Sequence, residues 1–470
     1  MHTLVWLRSD LRLHDNPALS EAAAQGHVRA VFLAAPGQWR AHGDAAAKVD
    51  FWQRNLQALG ATLAQRGIEL AILTVQDWSE APDALAAFCA NHGIADVHIN
   101  AEWGINERRR DQACAARLQA LGVSLTTHHG GTLLPPGSVR TGKGDPYRVF
   151  TPYARACRDI LRSAPPAARR APAAQGPALP AAAVPAIGPA VSPALARLWP
   201  AGEDAAHARL RDFLDAGLPR YHERRDIPAL DGTSALSPYL ACGVLSAAQC
   251  LRAALRNNQG EIDSGQAGAR VWITELLWRE FYLHLLAAYP ALSMHQPMRP
   301  ETRYLAWRDA PEDLAAWQQG RTGIPLVDAA QRQLLATGWM HNRLRMVSAM
   351  FLSKNLLLDW RLGEAWFMAH LIDGDLAANN GGWQWSASTG ADAVPYFRVF
   401  NPITQSRKFD PQGVFLRRWL PELAGLDDKS IHEPSAAQRH AAGYPEAIAD
   451  LKTSRLRAIE AFASLPSAPA

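Results

Sequence analysis

Residues 161–200 form a segment that can be neither a continuous helix nor a sheet strand. These 40 positions contain 14 Ala and 9 Pro. Proline lacks a backbone N–H and fixes its φ angle, so this density of proline interrupts both kinds of hydrogen bonding. The segment therefore predicts a connector laid over the surface, which divides the 470-residue chain into two domains.

The part before this segment alternates between strand-like and helical patterns. The apolar, β-branched runs are Thr3–Leu7, Val28–Ala34, Ile68–Val75, Val97–Ile99 and Val123–Thr127, and the helical patterns between them include Phe51–Arg66, Pro82–Asn91 and Asn106–Leu121. This alternation predicts βαβ units and a Rossmann-like parallel sheet. The turn after the first run, RSDLRLHDNPAL, contains no glycine. A dinucleotide-binding fingerprint, G-x-G-x-x-G, is therefore excluded there.

The part after the segment has apolar residues at helical spacing and almost no alternating strands. Its clearest helical patterns are Gln249–Arg256, Ala269–Tyr289, Pro325–Gly338, Asn342–Leu358 and Leu362–Leu371. The period of 3.6 residues predicts an all-α domain. The expected organisation is an α/β domain in residues 1–135, a connector with the Ala/Pro-rich linker in 136–200, and a helical domain in 201–470.

Composition excludes several classes of protein. Hydrophobic residues make up 48% of the chain and charged residues 20%, which is typical of a globular protein and not of a fibrous or disordered one. No apolar run reaches the ~18 residues of a membrane span, and the N-terminus lacks the pattern of a secretory signal. The cysteines form no C-x-x-C pair; they are Cys89, Cys114, Cys157, Cys242 and Cys250. We expect reduced thiols in a cytoplasmic protein, with no metal site.

The richest polar cluster is IDGDLAANNGGWQWSASTG, residues 372–390. Burying Asp373 and Asp375 beside apolar neighbours requires a partner, which would be a metal, an arginine or a polar ligand. A calcium loop beginning at Asp373 would need an acidic or amide residue where Ala377 stands and a glutamate where Gln384 stands, so calcium is disfavoured. A simple N-cap turn with satisfied carboxylates is the alternative.

Two further clusters lie on predicted helices. In TGWMHNRLRM, Asn342, Arg345 and Met346 share one face, as in the wall of a pocket, and Arg345 is a candidate counter-ion for Asp373. In WITELLWREFYLHLL, one broad face carries Glu275, Trp278, Arg279 and Tyr282, and the apolar side carries Leu276, Leu277, Phe281 and Leu285. A carboxyl group beside indoles suits hydrogen bonding to a heterocycle. Ordinary core or amphipathic helices are the alternatives. The turn TSALSPYL is a weaker candidate for a phosphate cradle.

Three motifs together resemble the photolyase/cryptochrome family, and within it the class I enzymes that act on cyclobutane pyrimidine dimers, the deoxyribodipyrimidine photo-lyases. They are WLRSDLRLHDNPAL, TGIPLVDAAQRQLLATGWMHNRLRM and LIDGDLAANNGGWQWSASTGADAVPYFRVFNPITQ. The resemblance runs from about residue 3 to 465, except for the linker. It implies a monomeric, cytoplasmic flavoprotein that is associated with the nucleoid when it is bound to DNA.

The resemblance implies non-covalent FAD in the helical domain. Its contacts would be Tyr221, Thr233, Ser234, Ala235, Leu236, Ser237, Trp272, Arg345, Asp373, Gly374, Asp375 and Asn379. Asn379 would face the reactive flavin nitrogen, and Arg345 would pair with Asp373. Trp383, Trp360 and Trp307 match the family's indole relay, which carries an electron from the surface to the flavin. Ala235 departs from the arginine that is common in this turn.

The implied substrate is DNA that contains a cyclobutane pyrimidine dimer. Its contacts would be Arg225, Glu275, Trp278, Arg279, Tyr282, Asn342, Arg343, Met346, Gln384, Trp385 and Arg398. The dimer would leave the base stack and lie between Trp278 and Trp385, with Glu275 and Asn342 on its polar edges. Relatives that repair (6-4) photoproducts carry histidines where this chain has Asn342 and Met346, which favours dimer repair. A cryptochrome-type blue-light receptor is the alternative function.

The segment INERRRD, residues 105–111, resembles the family's folate-antenna segment. It makes Asn106 and Glu107 candidate contacts for 5,10-methenyltetrahydrofolate. The basic contact expected near Ser293 and Met294 is absent from the sequence. A deazaflavin, an empty pocket and a plain polar helix surface are the alternatives.

Overall fold

The computed structural model describes residues 2–466. They form two compact units, and neither is continuous in sequence. The first contains the chain up to Pro219 together with Ser234–Pro290 and Ile372–Ala377, and the second contains Arg220–Thr233, Ala291–Leu371 and the chain from Ala378 onwards. Both sides of the Ala/Pro-rich linker contribute to the first unit. The sequence boundaries at 135/136 and 200/201 stay a prediction about chain organisation.

The first unit is built on one parallel sheet of five strands in the order β3-β2-β1-β4-β5. The strands are β1 His2–Leu7, β2 His27–Ala34, β3 Leu70–Thr74, β4 Ile94–Asn100 and β5 Ser124–His128. This confirms the predicted α/β architecture, with shifts of a few residues at the strand ends. The connection changes direction between β1 and β4. In open parallel sheets, ligands bind beyond the carboxyl ends of strands at such a point.

Twenty-one α-helices account for most of the other residues in the range 2–466. They are α1 Pro17–Gln25, α2 Pro36–Ala41, α3 Ala46–Ala64, α4 Ala81–His92, α5 Ile105–Gln119, α6 Phe150–Ser163, α7 Pro193–Leu198, α8 Glu203–Asp212, α9 Tyr221–Arg224, α10 Ser237–Ala241, α11 Ala247–Asn257, α12 Ala267–Ala288, α13 Pro311–Gln318, α14 Pro325–Thr337, α15 Asn342–Met350, α16 Trp360–His370, α17 Leu376–Ala387, α18 Pro402–Phe409, α19 Val414–Trp419, α20 Ala436–Ala442 and α21 Leu451–Ala463.

One predicted helix is divided in the structure. The sequence predicted a single helix over Asn342–Leu358, whereas α15 ends at Met350 and a π-helical turn, Phe351–Asn355, follows it. Phe351 and Leu352 in this turn are buried, so the apolar pattern of the sequence continues through the turn although the helix does not. The same turn also buries Lys354, a polar side chain that the period could not account for. Such turns are frequent at functional sites.

The Ala/Pro-rich linker follows the surface of the first unit, as predicted. Gln175 accepts a hydrogen bond from the Val28 N–H at 2.8 Å and donates one to the Val28 carbonyl. Ile187 is buried further along. A short helix near the end of the linker, α7, was not predicted; the Ser192 side chain caps its first turn, and proline at its first position is compatible with a helix start.

The second unit encloses a core that is rich in indoles. Trp317, Trp360 and Trp383 are buried there, and Trp307, Trp366 and Trp419 pack against the same cluster from partly buried positions. Large aromatic side chains contribute much of the burial energy of such a core. Across residues 2–466, no helix is long and apolar enough to cross a membrane.

Candidate functional site

Helix α12 divides into two faces as the sequence predicted. Leu276, Leu277, Phe281 and Leu285 are buried, whereas Glu275, Trp278, Arg279 and Tyr282 are half-buried. The apolar face anchors the helix within the first unit. The other face, which carries Glu275, Trp278, Arg279 and Tyr282, is thereby left partly accessible. We call it the mixed face of α12, because it places an acid and two aromatic rings on adjacent turns.

The indole of Trp278 is fixed by aromatic neighbours. The Phe150 ring stacks on it with a centroid distance of 3.6 Å and an interplanar angle of 7°. Tyr282 lies 5.8 Å away at a tilt of 33°. Phe150 itself is almost fully buried. One face of Trp278 is therefore covered by the Phe150 ring, while the residue as a whole is only half-buried.

Arg279 and its neighbour Glu280 are tied to the chain segment after β5. Arg279 Nη1 donates to the Gly131 carbonyl at 3.0 Å and lies 3.4 Å from Glu280 Oε1. Glu280 Oε2 accepts from the Leu133 N–H at 2.8 Å. Burial raises the pKa of Glu280 to about 7. One nitrogen of Arg279, Nη1, is therefore already hydrogen-bonded within the protein. The predicted contact with a phosphate would have to use the other guanidinium nitrogens.

The turn before α10 has the backbone geometry of an anion-binding nest. Ala235 adopts a left-handed conformation with φ of 47°, and Leu236 follows in the right-handed helical region with φ of −89° and ψ of −6°. Successive residues of opposite hand direct their N–H groups into one concavity. This geometry suits a phosphate. The sequence had given this turn, TSALSPYL, as a weaker candidate than the clusters on the two helices. Asp373 and Trp272, also in the first unit, are buried.

Helix α15 presents the polar face that its spacing predicted. Leu344 and Val347 are buried, while Asn342 is exposed and Arg343, Arg345 and Met346 are half-buried. Arg345 Nε donates to the Met340 carbonyl at 2.8 Å, which holds its guanidinium beside the helix. The amide of Asn342 and the thioether of Met346 are therefore at least partly accessible.

A cavity of about 550 Å³ in the second unit includes Arg343 in its lining. The lining residues are Glu223, Asp226, Ile227, Arg343, Phe400, Gln405, Lys408 and Phe409. Arg343 Nη2 pairs with Asp226 at 2.9 Å, and the cations of Arg343 and Lys408 lie 4.5 and 5.0 Å from the Phe409 ring. Sequence reasoning assigned only Arg343. The run QSRKF, basic and aromatic, was the signal that could have found Gln405, Lys408 and Phe409.

Asn379 on α17 is oriented by a hydrogen bond to the neighbouring helix. Its Nδ2 donates to the Glu364 carbonyl at 3.0 Å, so the opposite side of the amide presents the acceptor oxygen. The Glu364 carboxylate accepts from Asn380 Nδ2 at 2.8 Å and contacts His295 Nδ1 at 2.8 Å. This contact with Glu364 raises the pKa of His295. A buried polar network therefore fixes the start of α17.

Gln384 belongs to the same network, and this changes its interpretation. Its side chain is buried; Oε1 accepts from the Met298 N–H at 2.9 Å, and Nε2 donates to Asn380 Oδ1 at 2.9 Å and to the Gln296 carbonyl. The amide is saturated within the protein. The structure therefore favours a positioning role for Gln384 over the direct DNA contact predicted from sequence. Trp385, the next residue, is half-buried.

The three indoles assigned to electron relay share one core cluster. Trp383 and Trp360 are buried, and Trp307 is partly buried. A side chain on Gly363 would overlap the Trp383 ring, so glycine is required beside it. Within residues 2–466, the Trp383 indole N–H has no hydrogen-bond partner.

Charged residues gather at the carboxyl ends of β1 and β4. Arg8, which follows β1, contacts Asp111 at 3.0 Å, and Arg110 contacts Glu102 at 2.7 Å. Although burial opposes ionisation, Arg110 and Arg8 lower the pKa of Glu102 to about 2. This cluster lies where the sheet order changes direction, which is the expected ligand position in such a fold.

The two residues assigned to an antenna chromophore lie at the start of α5, beside this cluster. Asn106 Nδ2 lies 3.0 Å from His42 Nε2, and Asn106 is exposed. Burial, together with the charge of Glu102, raises the pKa of Glu107 to about 7. A carboxyl group in this range can donate or accept a hydrogen bond near neutral pH. Within residues 2–466, no group of three metal-ligating side chains comes together.

Comparison with known proteins accounts for both units. Residues 3–173 match the family model described as DNA photolyase, and residues 272–464 match the FAD-binding domain of DNA photolyase. The deoxyribodipyrimidine photo-lyase of Salmonella typhimurium is 45% identical to the chain, and the alignment covers 98% of both proteins. The chain belongs to the DNA photolyase family. It therefore carries the family's FAD-binding domain, as the resemblance of its motifs implied.

Other members of the family extend the comparison. The Escherichia coli deoxyribodipyrimidine photo-lyase is 44% identical over 98% of both chains. A class III photolyase from Agrobacterium tumefaciens superimposes with a TM-score of 0.87 at 35% identity, covering 98% of this chain and 97% of its own. A cryptochrome from Synechocystis reaches the same TM-score at 29% identity, covering 98% and 99%. The fold is thus common to proteins named photolyase and to a cryptochrome, and the functional site must distinguish their functions.

Proposed function

We propose that this chain is a deoxyribodipyrimidine photo-lyase of class I, a carbon–carbon lyase that uses light to split cyclobutane pyrimidine dimers in DNA. The observation that carries the proposal is the mixed face of α12, where half-buried Glu275 lies one turn before half-buried Trp278, whose ring is held by a stack on Phe150. A photoreceptor that repairs no DNA would not need an indole held in place to stack on a flipped base. Met346 and Asn342, which are accessible on α15, support dimers over (6-4) photoproducts.

FAD fits the residues that the family assigns to it. The nest at Ala235 and Leu236 offers backbone N–H groups to a phosphate. Tyr221 and Trp272 supply aromatic surface, and buried Asp373 supplies a carboxylate for hydroxyl or ring N–H donors. The remaining contacts would come from Thr233, Ser234, Ser237, Arg345, Gly374, Asp375 and Asn379. The Asn379 amide, held by Glu364, would present its oxygen to an N–H of the reduced flavin.

The protein itself would position the dimer and stabilise charge. When bound, photoexcited reduced FAD supplies one electron to the dimer and recovers it after the ring opens, so the net reaction is redox-neutral. Trp278 and Trp385 would stack on the flipped bases, while Glu275 and Asn342 would hydrogen-bond their edges. Trp383, Trp360 and Trp307 would serve to reduce oxidised flavin.

The DNA backbone would meet a set of arginines and the cavity in the second unit. The phosphate contacts would be Arg225, Arg279, Arg343 and Arg398, with Tyr282 beside them. Arg343 and Lys408, whose cations lie 4.5 and 5.0 Å from the Phe409 ring, combine positive charge with an aromatic ring, a pairing suited to a phosphodiester and its sugar or base. Local clusters of this kind explain how a chain of net charge +4 can bind a polyanion.

A second chromophore would bind at the carboxyl ends of β1 and β4. We infer 5,10-methenyltetrahydrofolate, because Asn106 and Glu107 offer amide and carboxyl groups for a pterin ring, and Glu107 is able to share a proton near neutral pH. A deazaflavin is the alternative. We also infer a monomer in the cytoplasm that associates with the nucleoid through damaged DNA.

The deciding experiment is repair of a thymine-dimer oligonucleotide by the FAD-loaded, chemically reduced protein, under near-UV to blue light and in the dark. Light-dependent recovery of two thymines is expected, and Trp278→Ala should bind the dimer oligonucleotide more weakly in darkness. The second candidate is a cryptochrome-type photoreceptor, which is supported by the similarity of the fold to that of the Synechocystis cryptochrome. Absence of repair by protein with fully reduced FAD would overturn the photo-lyase proposal in favour of that receptor.

A further inference from the structure

Lys354 is a buried amino group that the proposed chemistry does not use. It lies in the π-helical turn Phe351–Asn355 and is 0% exposed. Its Nζ donates to Ser388 Oγ at 2.8 Å and to the Arg398 carbonyl at 3.2 Å. Burial lowers the pKa of Lys354 to about 7. Within residues 2–466 no charged group shifts its pKa, and its hydrogen-bond acceptors are neutral oxygens.

The two acceptors are the ends of one chain segment, residues 388–398, which follows α17 and precedes α18. Ser388 Oγ donates in turn to the Val394 carbonyl at 2.6 Å. The Trp385 carbonyl accepts from the Val394 N–H at 3.2 Å and from the Ser388 N–H at 3.4 Å. Lys354 therefore fastens the beginning and the end of the segment at a single point.

The conformation at the beginning of the segment requires such fastening. Ser388 has a φ of 62°, a left-handed conformation that costs free energy for a residue with a side chain. Its carbonyl also accepts from Arg299 Nη1 at 3.1 Å. Arg398, at the other end, is exposed. The 388–398 segment thus leads from the Trp385 ring to an accessible guanidinium, and its path is set by hydrogen bonds from buried groups.

We infer that Lys354 is a positioning residue for DNA binding, which holds the 388–398 segment so that Trp385 and Arg398 are in place before the DNA arrives. The inference rests on the proposed function, since it uses the roles assigned to those two residues. A segment ordered in advance does not have to be ordered on binding, and affinity rises by the free energy saved.

The energetics of burial separate this role from a purely structural one. A buried charge carries a desolvation cost that hydrogen bonds to neutral groups offset only in part, and a methionine of similar length would avoid that cost. Packing alone would therefore be satisfied by methionine at this position. The presence of a lysine is explained by its hydrogen bonds to two oxygens, Ser388 Oγ and the Arg398 carbonyl, which lie at opposite ends of the 388–398 segment.

The test compares Lys354→Met with Ser353→Ala in the FAD-loaded protein. Ser353 lies in the same π-helical turn, but its Oγ donates to the Ala349 carbonyl at 2.7 Å and does not reach the 388–398 segment. For Lys354→Met we expect a thermal midpoint no lower than that of the unaltered protein. We also expect about tenfold weaker binding of a dimer-containing oligonucleotide in the dark, and faster hydrogen exchange at residues 388–398. Ser353→Ala should match the unaltered protein in binding and exchange.

Unchanged binding and exchange in a folded Lys354→Met protein would overturn the inference, as would a lowered thermal midpoint with unchanged binding. If Lys354→Met does not fold, Ser388→Ala removes one acceptor and should give the same weakening and the same faster exchange. Failure of the proposed function is recognised separately. In that case the unaltered protein would not prefer dimer-containing DNA, and hydrogen exchange without DNA would still decide whether Lys354 fixes the segment.

Discussion

The ring of Phe150 covers one face of the Trp278 indole at 3.6 Å, with 7° between the two planes. Phe150 is the first residue of α6, and Trp278 lies in the middle of α12. Phe281 meets both rings edge-on at 5.8 Å. The plane of the indole is therefore fixed by neighbouring aromatic rings before any ligand binds.

Replacing this backing ring should weaken binding of the lesion. Phe150→Leu keeps an apolar side chain but removes the flat surface, so Trp278 gains rotational freedom that binding must remove. Aromatic pairs contribute about 0.5–1.5 kcal/mol beyond burial, which predicts a loss of about three- to tenfold in affinity for dimer-containing DNA. The measurement is the ratio of dimer-containing to intact DNA binding in darkness. Phe150→Tyr retains the ring and should keep the ratio; an unaltered ratio in Phe150→Leu would contradict the idea.

Trp383→Phe should block photoreduction of oxidised flavin and spare repair when the flavin is reduced chemically beforehand. A phenyl ring is much harder to oxidise than an indole, so the first step of the relay is lost. Trp366→Phe is the matched control, because Trp366 packs against the same core and its Nε1 donates to Gln331 Oε1 at 3.1 Å. Flavin absorbance under blue light measures the effect. Equal photoreduction by the two variants would refute the assigned relay.

Glu275→Ala should lower repair per absorbed photon more than it lowers affinity for the lesion. The carboxyl group is assigned to the edge of the dimer, where charge develops only after electron transfer, and a group that acts there affects the yield more than binding. Thr274→Ala is a suitable control on the same helix, since Thr274 Oγ1 accepts from Arg158. Quantum yield and dark affinity are measured for both variants. A defect in binding alone would remove the electronic role of Glu275.

Glu280 should make folding stability depend on pH. Burial raises its pKa from 4.5 to about 7. Below the unfolded pKa the carboxyl group is protonated in both states. As the pH rises from 4.5 to about 7, the unfolded chain loses this proton before the folded protein does, so the free energy of unfolding falls. Above this window the loss is complete.

Glu280→Gln should remove this dependence. The amide oxygen can still accept from the Leu133 N–H, and no ionisation follows. The variant should gain up to about 3 kcal/mol relative to the unaltered protein at about pH 8, and much less at about pH 5. Urea unfolding at the two pH values tests this. An identical pH profile in both proteins would show that Glu280 does not titrate in the window.

Local pattern was sufficient for the elements and for the faces of the key helices. Strand–helix alternation predicted the parallel sheet, and the 3.6-residue period placed Glu275 and Trp278 together on α12 and Asn342 and Met346 on α15. These relationships depend only on backbone repeats, which are the same in any environment. The motifs around Asp373 likewise indicated the family that the comparisons confirmed.

Tertiary structure decided what those side chains touch. The stack of Phe150 on Trp278 and the fastening of Ser388 and Arg398 by Lys354 join elements that are distant in sequence, and no periodicity encodes such pairs. Gln384 was assigned to DNA from its position in a motif, and only the fold revealed that its amide is saturated inside the protein. The sequence by itself determined which chemical groups the chain can offer. Because burial and hydrogen bonding depend on packing between remote segments, only the folded protein decided which of those groups remain available to a ligand.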